Sequence, residues 1–463
     1  MSEGPFVPPA DASRTGWLFI QWRQLTSSST HRRVFAAVAT IALLTALARF
    51  VGLAKELLVA RRFGTGATIE AYLIALLIPM LAINVISTSL SVALIPTYVA
   101  TRERKGKVAA QELLSGITVW TLLLLLIISL LIIALARLYL PYIASGFNEY
   151  KLALTFELLI AVTPIVVLSG IGNIWGAVLN AGERFALVAL APAVTPAVMI
   201  VALLVVRHSI FALPLGMVVG AALETILLGM ALRARGVSLR PRWRGFDSQL
   251  REVAGQFGHR VGASGLRSGS VVVDRSLAAM LAPGNVAALN YGSRIVMTVL
   301  SIAGVALGSA VTPYYANMAA QKDWEGLRRL LKRYTILVLL ASVPVTILLY
   351  FSAAPIVRLI YERGSFRARD TQIVAQVHAL YALQIPFYLG TVLIGRFLGS
   401  LLASHVLVWA AVINVSLNIL LDILLIKPLG VSGLALASGC ASLITFCFLS
   451  YVSLREVNAR VLR

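Results

Sequence analysis

Long runs without a charged residue alternate along the chain with short segments rich in arginine and lysine. Trp120–Leu135, Met199–Val206, Thr335–Leu349 and Val406–Ile426 are almost wholly apolar. With their flanks they reach the ~20 residues that cross a ~30 Å hydrocarbon core. Inside such a core every backbone amide must be satisfied within its own segment, so the runs predict helices. The pattern places spans near 34–62, 70–100, 114–137, 152–180, 186–206, 211–234, 263–282, 286–318, 335–353, 371–402, 405–426 and 431–454. The expected fold is an all-α membrane protein of about 12 transmembrane helices.

Composition supports a membrane solvent: 59% of the 463 residues are hydrophobic and 13% charged, against roughly half and a quarter in soluble domains. Mean hydropathy is +0.88. The net charge of +21 would suit nucleic acid, but its distribution points elsewhere. Basic residues crowd every second loop: Arg102, Arg104, Lys105 and Lys107, then Arg233, Arg235, Arg240, Arg242, Arg244 and Arg251, then Lys322, Arg328, Arg329, Lys332 and Arg333. This is the positive-inside pattern of a multi-pass membrane protein, with both termini in the cytosol. Residues 1–33 carry Arg14, Arg23, Arg32 and Arg33 and no apolar core before a cleavage site, so they predict a basic cytosolic tail, not a signal peptide. One loop dissents: Arg358, Arg363, Arg367 and Arg369 fall on the expected outer side, partly offset by Glu362 and Asp370. Either a span is misplaced there or the loop serves an anion. Cys440 and Cys447 share one span, and no disulfide or cysteine metal site is expected.

Landmarks recur at a nearly constant offset, the mark of a duplicated architecture. Arg49 and Glu56 match Arg267 and Asp274 at 218, and Gly66 matches Gly284 at 218. Pro96 and Tyr98 match Pro313 and Tyr315 at 217, Pro164 matches Pro386 at 222, and Pro214-Leu215-Gly216 matches Pro428-Leu429-Gly430 at 214. Six spans per unit make the two units parallel, related by an axis along the membrane normal, around a central cavity. The expected organisation is an N-lobe over 34–235, a basic amphipathic linker over 236–262, a C-lobe over 263–456 and a short cytosolic tail over 457–463. With Trp243 and Phe246, the linker suits the cytosolic lipid surface.

Ionisable groups at membrane depth are costly and mark function by default. Arg49, Gly52 and Glu56 lie at i, i+3 and i+7 on one face of the first span, with Lys55 beside them, and Glu70 follows the Gly64-Thr65-Gly66 turn. Arg267, Ser270 and Asp274 repeat the spacing, and Arg294 stands on the next span. Across a cavity, Arg49, Lys55, Arg267 and Arg294 would select an anion, and guanidinium forks suit phosphate. Internal salt bridges between the halves are the alternative reading. In the eleventh span, Asn414, Asn418 and Asp422 stack at i+4 steps; with Asp274 and Ser438 they could hold a small hard cation or a proton. Helix-to-helix hydrogen bonding is the alternative there. Mid-helix Pro164, Pro192, Pro196 and Pro386 are expected to bend their spans. No phosphate-binding loop, metal helix or nucleophile elbow occurs, so a transporter is expected, not an enzyme, with no bound cofactor.

The stretch Arg49-Phe-Val-Gly-Leu-Ala-Lys-Glu-Leu-Leu-Val-Ala-Arg-Arg-Phe-Gly64, then Glu70-Ala-Tyr and a Pro96-closed second span, resembles the opening of the MurJ (MviN) lipid II flippases. Asp274-Arg275, Pro283-Gly284-Asn285-Val and Leu289-Asn290-Tyr291-Gly292-Ser293-Arg294 resemble their seventh and eighth helices. The resemblance implies the multidrug/oligosaccharidyl-lipid/polysaccharide exporter superfamily and an alternating-access flippase moving a polyprenyl-diphosphate-linked sugar to the outer leaflet. It implies that Arg49, Lys55 and Arg294 engage the diphosphate, that Glu56 and Glu70 replace the family's aspartates, and that Asp274, Asn418, Asp422 and Ser438 form a sodium site. Na+ or H+ is then the expected coupling ion. Expected partners are the lipid-linked substrate, membrane lipids and cell-wall or polysaccharide synthesis proteins; no nucleic acid is expected.

Three departures stand out: Ile83 and Asn84, after Pro79, occupy the region of the family's second-helix arginine, Ser293 replaces an aspartate, and the chain has about twelve spans where fourteen are usual. Lipid II and another lipid-linked glycan, such as an exopolysaccharide unit, therefore stay open as cargo. Two further readings are a cation-coupled multidrug exporter of the same superfamily and a non-transporting cell-wall scaffold; the arginine surplus argues against the first.

Overall fold

The computed structural model describes residues 30–182, 185–206, 209–239, 245 and 248–461. The described residues are helical apart from short turns, as a chain that must satisfy its own amides in lipid requires. In chain order the helices are α1 (Thr30–Phe63), α2 (Ala67–Ala75), α3 (Leu77–Ala134), α4 (Ala136–Ile143), α5 (Glu149–Val162), α6 (Pro164–Ala181), α7 (Phe185–Leu190), α8 (Val194–Val205) and α9 (Ala212–Arg233). The second half holds α10 (Ser248–Ala279), α11 (Asn285–Ala320), α12 (Trp324–Phe351), α13 (Ala353–Tyr361), α14 (Ala368–Ala382), α15 (Ile385–Ser400), α16 (Ser404–Leu429) and α17 (Val431–Val461).

Among the described residues nine helical stretches are long and apolar enough to cross a membrane. One of them, Ala67–Ala134, folds into two spans at Gly106, whose φ of 87° breaks the helix within the basic loop. The first and seventh spans, α1 and α10, owe their lower hydropathy to the charges and glycines they carry. Counted together these make the twelve spans expected.

The repeat is visible in the breaks as well as in the spans. The fourth span is split before Pro164 into α5 and α6, and the tenth is split before Pro386 into α14 and α15. In both, proline sits in the first helical turn, where its missing N–H costs nothing. The fifth span is broken at the 3₁₀ turn Ala191–Ala193, with Pro192 inside it and Pro196 in the first turn of α8. Short helices α4 and α13 follow the third and ninth spans at corresponding places, each bearing one arginine and an apolar face.

The linker expected over 236–262 leads into the seventh span without a break, since α10 runs from Ser248 to Ala279. Leu250 and Val253 are buried against Leu113 and Leu114 of α3, and Phe257 meets Trp120 edge to face at 5.3 Å. Apolar residues at 250, 253 and 257 thus pack on protein, and lipid-surface amphipathicity is not what their spacing encodes. Trp243, Phe246 and the basic tail up to residue 29 lie outside the described residues.

The cores reveal how the lobes meet. At the end carrying the 64–66 turn, one continuous core joins both halves, including Ile69, Leu73 and Leu158 with Val286, Tyr291, Tyr361 and Val374. At the opposite end the core divides in two. Leu90, Leu94, Ile117, Val178 and Leu232 form one cluster within the first half; Tyr315, Leu331, Leu393, Phe397 and Leu449 form another within the second. Burial therefore joins the halves broadly at the turn end, called here the seam, whereas at the other end only the first part of α10, through Leu250 and Val253, packs onto the first half's cluster.

Candidate functional site

Below the seam, α1, the α7–α8 segment and α11 enclose a cavity of about 270 Å³. Arg49 and Gly52 of α1 face Arg294, Thr298 and Ser301 of α11, with Pro192 and Pro196 on the third side. The helical spacing of Arg49 and Gly52 and of Arg294, Thr298 and Ser301 puts each set on one face. The proline-broken fifth span supplies a wall of ring carbons with no competing backbone donor. Among ligand pockets of ~300–1,000 Å³ this volume is small, so a large headgroup requires the cavity to widen.

Lys55, Glu56 and Arg294 meet at one edge of this cavity. Glu56 Oε1 accepts from Lys55 Nζ at 2.7 Å and from an Arg294 terminal nitrogen at 2.9 Å. Glu56 is buried, whereas 45% of the Arg294 side chain stays exposed. A guanidinium carries five N–H donors, so one bond to Glu56 leaves Arg294 able to bind a further anion. Arg275, from α10, donates to Asn290 Oδ1 at 3.3 Å and lies close enough to Glu56 to act on it electrostatically. With Arg49 exposed at the opposite wall, cations outnumber carboxylates here. Arg267 lies on α10, but its side chain is outside the described residues.

Glu70 sits elsewhere. It is 1% exposed, pairs with Lys151 Nζ at 2.5 Å, and accepts the backbone N–H groups of Gly284 and Val286 at 2.9 Å each. It therefore caps the start of α11 across the seam and is not among the cavity-lining residues. Lys151, the partner that sequence reasoning missed, stands at the third residue of α5, where a lysine beside Glu149 and Tyr150 looks interfacial.

The seam itself is a clasp of backbone and short polar side chains. Ser365 donates from its backbone N–H to Arg61 O at 2.8 Å and from its hydroxyl to Arg62 O at 2.9 Å. Thr65 Oγ1 donates to Asp370 Oδ1 at 2.6 Å, and Tyr291 donates to Gly64 O at 3.2 Å. Gly64 has φ 55°, and a Cβ there would come within 2.5 Å of Ser365 O. Both demands restrict the position to glycine. Arg62 turns back into its own lobe, donating to the carbonyls of Leu203 and Val206.

The second polar cluster is inside the C-terminal half. The carboxyl groups of Asp274 of α10 and Asp422 of α16 lie near enough to act on each other electrostatically. Asp422 is fully buried. Neither of its oxygens, nor Asp274 Oδ1, meets a donor from the described residues. Asn418 Nδ2 donates to Ser438 Oγ at 3.4 Å, and Tyr381, a residue sequence reasoning missed, lies close enough to Ser438 to interact with it. One turn away, Asn414 Nδ2 donates to Thr445 Oγ1 at 3.0 Å, which is helix-to-helix bonding of the alternative kind. Two adjacent carboxyls, one of them fully buried, stay ionised together only with a cation between them, and otherwise share a proton. Their unpartnered oxygens, with the oxygens of Asn418 and Ser438 nearby, fit a small hard cation.

A family model described as "Lipid II flippase MurJ" matches residues 59–462. A probable lipid II flippase MurJ from Synechocystis is 25% identical over 427 residues, covering 89% of this chain and 80% of its own length. The lipid II flippase MurJ of Burkholderia cenocepacia is 25% identical over 363 residues, covering 76% and 70%. A solved structure of lipid II flippase MurJ in an inward closed conformation superposes with a TM-score of 0.79 at 22% identity, covering 91% of this chain and 90% of that one. The fold is shared more widely: a Vibrio cholerae MATE transporter gives 0.67 at 14% identity, covering 91% and 97%. Since the family match spans most of the chain, this protein belongs to the lipid II flippase MurJ family.

Proposed function

We propose that the chain is an alternating-access flippase that carries lipid II, a polyprenyl-diphosphate-linked sugar precursor, from the cytosolic to the outer leaflet of the cytoplasmic membrane. The observation that carries this reading is the convergence of Arg49 from one half and Arg294 from the other on one cavity. A cation surplus in a site with low-dielectric walls favours an anion, and planar guanidinium forks favour phosphate oxygens. The same surplus disfavours cationic drugs, which separates this reading from multidrug export.

The positive-inside distribution supports an orientation in which the seam is the outer end and both termini are cytosolic. On that orientation the closed seam and divided cores correspond to a state poised toward the cytosol. The coupling ion in this reading is Na+ or H+, supported by the facing Asp274 and Asp422. Asp274, Asp422, Asn418 and Ser438 would hold sodium, which when bound supplies the positive charge that lets both carboxylates stay ionised.

The test is depletion of the protein in its host, followed by addition of an external enzyme that cleaves lipid II. Cleavage should be lost, restored by wild type, and not restored by correctly inserted Arg49→Ala or Arg294→Ala variants. Full restoration by both variants would sink the anion-clamp reading. Unchanged cleavage on depletion would assign the carrier to a different lipid-linked glycan.

A further inference from the structure

The loop that breaks the positive-inside pattern is not a misplaced span. It is the α13–α14 connection, and it lies on the seam: Ser365 bonds to the carbonyls of Arg61 and Arg62, and Asp370 bonds to Thr65. Arg61 of the first half and Arg363, Arg367 and Arg369 of the second are all exposed around this contact. The stem of Arg61 packs on Gly364, where a Cβ would lie 3.0 Å from Arg61 Cγ.

The acidic residues of the loop are already engaged. Glu362 accepts from the Thr371 hydroxyl at 2.6 Å and from Arg358 at 3.5 Å. Asp370 accepts from Thr65 through one oxygen and from the backbone N–H of Arg367 at 2.8 Å through the other. Among the described residues the Arg363 side chain donates to the Leu359 carbonyl, at 3.3 Å. Among the described residues no carboxylate forms an ion pair with Arg61, Arg363, Arg367 or Arg369. The start of α14, at Ala368, adds the positive end of a helix dipole to the same spot.

We propose that Arg61, Arg363, Arg367 and Arg369 form a second, outer anion site that receives the diphosphate of the carried lipid as the seam opens. The site rests on the proposed orientation and cargo class, and it extends them with an exit station separate from the cavity. Arg294 lies ten residues from Gly284, the seam end of its helix, or ~15 Å along the axis. A diphosphate is too short to touch both places, so the two clusters act in succession. The choice of cargo over bulk phospholipid follows from position and charge. These arginines straddle the junction between the lobes, whereas Arg358, on the flank of α13, keeps its own carboxylate. A diphosphate also carries more negative charge than the single phosphodiester of a phospholipid, matching several unpaired guanidinium groups at once.

The experiment is native mass spectrometry of the purified full chain titrated with undecaprenyl diphosphate, with phosphatidylglycerol as competitor. Wild type should take up two diphosphate lipids. Arg363→Gln/Arg367→Gln/Arg369→Gln should lose one event, its affinity falling roughly tenfold or more, as expected for removal of charge-assisted hydrogen bonds. The corresponding triple lysine variant, which keeps the charge, should retain both events and controls for misfolding; if the glutamine triple is destabilised, Arg369→Gln alone should still weaken the outer event. Two events undiminished in the glutamine variants would overturn the proposal. Displacement of the outer lipid by an equal concentration of phosphatidylglycerol would also overturn it, leaving a general phospholipid contact. Arg49→Gln/Arg294→Gln tests the cavity separately: it should lose the other event, and keeping both would count against the cavity reading while leaving the outer site standing.

Discussion

The carboxylate of Glu70 and the ammonium of Lys151 face each other at 2.5 Å, with Glu70 almost wholly enclosed. Glu70's other oxygen holds two backbone N–H groups at the start of α11, so one side chain ties α2, α5 and α11 together. Removing one member of a buried pair costs ~3–5 kcal/mol, because the other is left charged and uncompensated. Glu70→Gln should therefore lower the thermal unfolding midpoint of the purified protein by several degrees. Adding Lys151→Met to Glu70→Gln should recover part of the loss. An unchanged midpoint in Glu70→Gln would show that the pair adds nothing to stability.

The contrast between Glu70 and Glu56 shows what a sequence displays and what it hides. A charge inside an apolar run stands out, because membrane depth makes it rare; Arg49, Lys55, Glu56, Arg294, Asp274 and Asp422 are legible for that reason. The heptad-like spacing of Arg49 and Glu56 also turns both toward Arg294, one across the cavity and one in direct contact. What spacing cannot supply is the partner on another helix. Glu56 and Glu70 read alike in sequence, yet one meets Arg294 and the other Lys151, 81 residues away. Tyr381 is hidden for the opposite reason, since an aromatic among apolar residues carries no polar signal until Ser438 is brought to it. The twelve spans follow from hydropathy and the repeat; the continuity of α10 through 262/263 does not, because Leu250, Val253 and Phe257 suit a lipid surface and a protein groove equally well.

Glu56 restrains the two cations it touches. Lys55 is 15% exposed in its side chain and Arg294 45%, so the carboxylate competes with any anion for the more accessible of the two. Glu56→Gln removes that competition and should tighten binding of undecaprenyl diphosphate by roughly tenfold, about 1.4 kcal/mol. Turnover should fall, because binding that favours the loaded state without favouring its release slows the cycle. Equilibrium binding and vesicle transport measured on the same preparation check both halves; weaker binding would show that Glu56 organises the cations more than it neutralises them.

The Thr65–Asp370 hydrogen bond, at 2.6 Å between side chains of opposite lobes, offers a direct handle on the seam. In a background with Cys440 and Cys447 replaced by alanine, Thr65→Cys/Asp370→Cys should crosslink under mild oxidation, since the two side chains already touch. If the seam must part in each cycle, the oxidised protein will not transport and reductant will restore it. Gly64→Ala should act in the opposite direction: the positive φ and the nearby Ser365 carbonyl strain the clasp by ~1–3 kcal/mol, so the pair should crosslink more slowly. Transport by the fully crosslinked protein would rule out opening at this place.

The facing carboxyl groups of Asp274 and Asp422 predict how the protein responds to sodium. If a cation sits between them, it binds the folded state and not the unfolded one, so stability must rise with its concentration, by ~2.7 kcal/mol at a hundred times the dissociation constant. The thermal midpoint of wild type should then be higher in sodium chloride than in choline chloride at equal ionic strength. Asp422→Asn relieves the like-charge contact and removes an anionic ligand, so it should raise the sodium-free midpoint and flatten the response to sodium. Asp274→Asn should do the same, because either substitution leaves one carboxylate with a neutral neighbour. A proton shared by the pair gives a different pattern. Wild type would then be indifferent to sodium, while acid stabilised it by supplying the shared proton, an effect that both asparagine variants would lose. A response to sodium that survives in both variants would place the ion elsewhere and reduce the pair to a helix-to-helix contact.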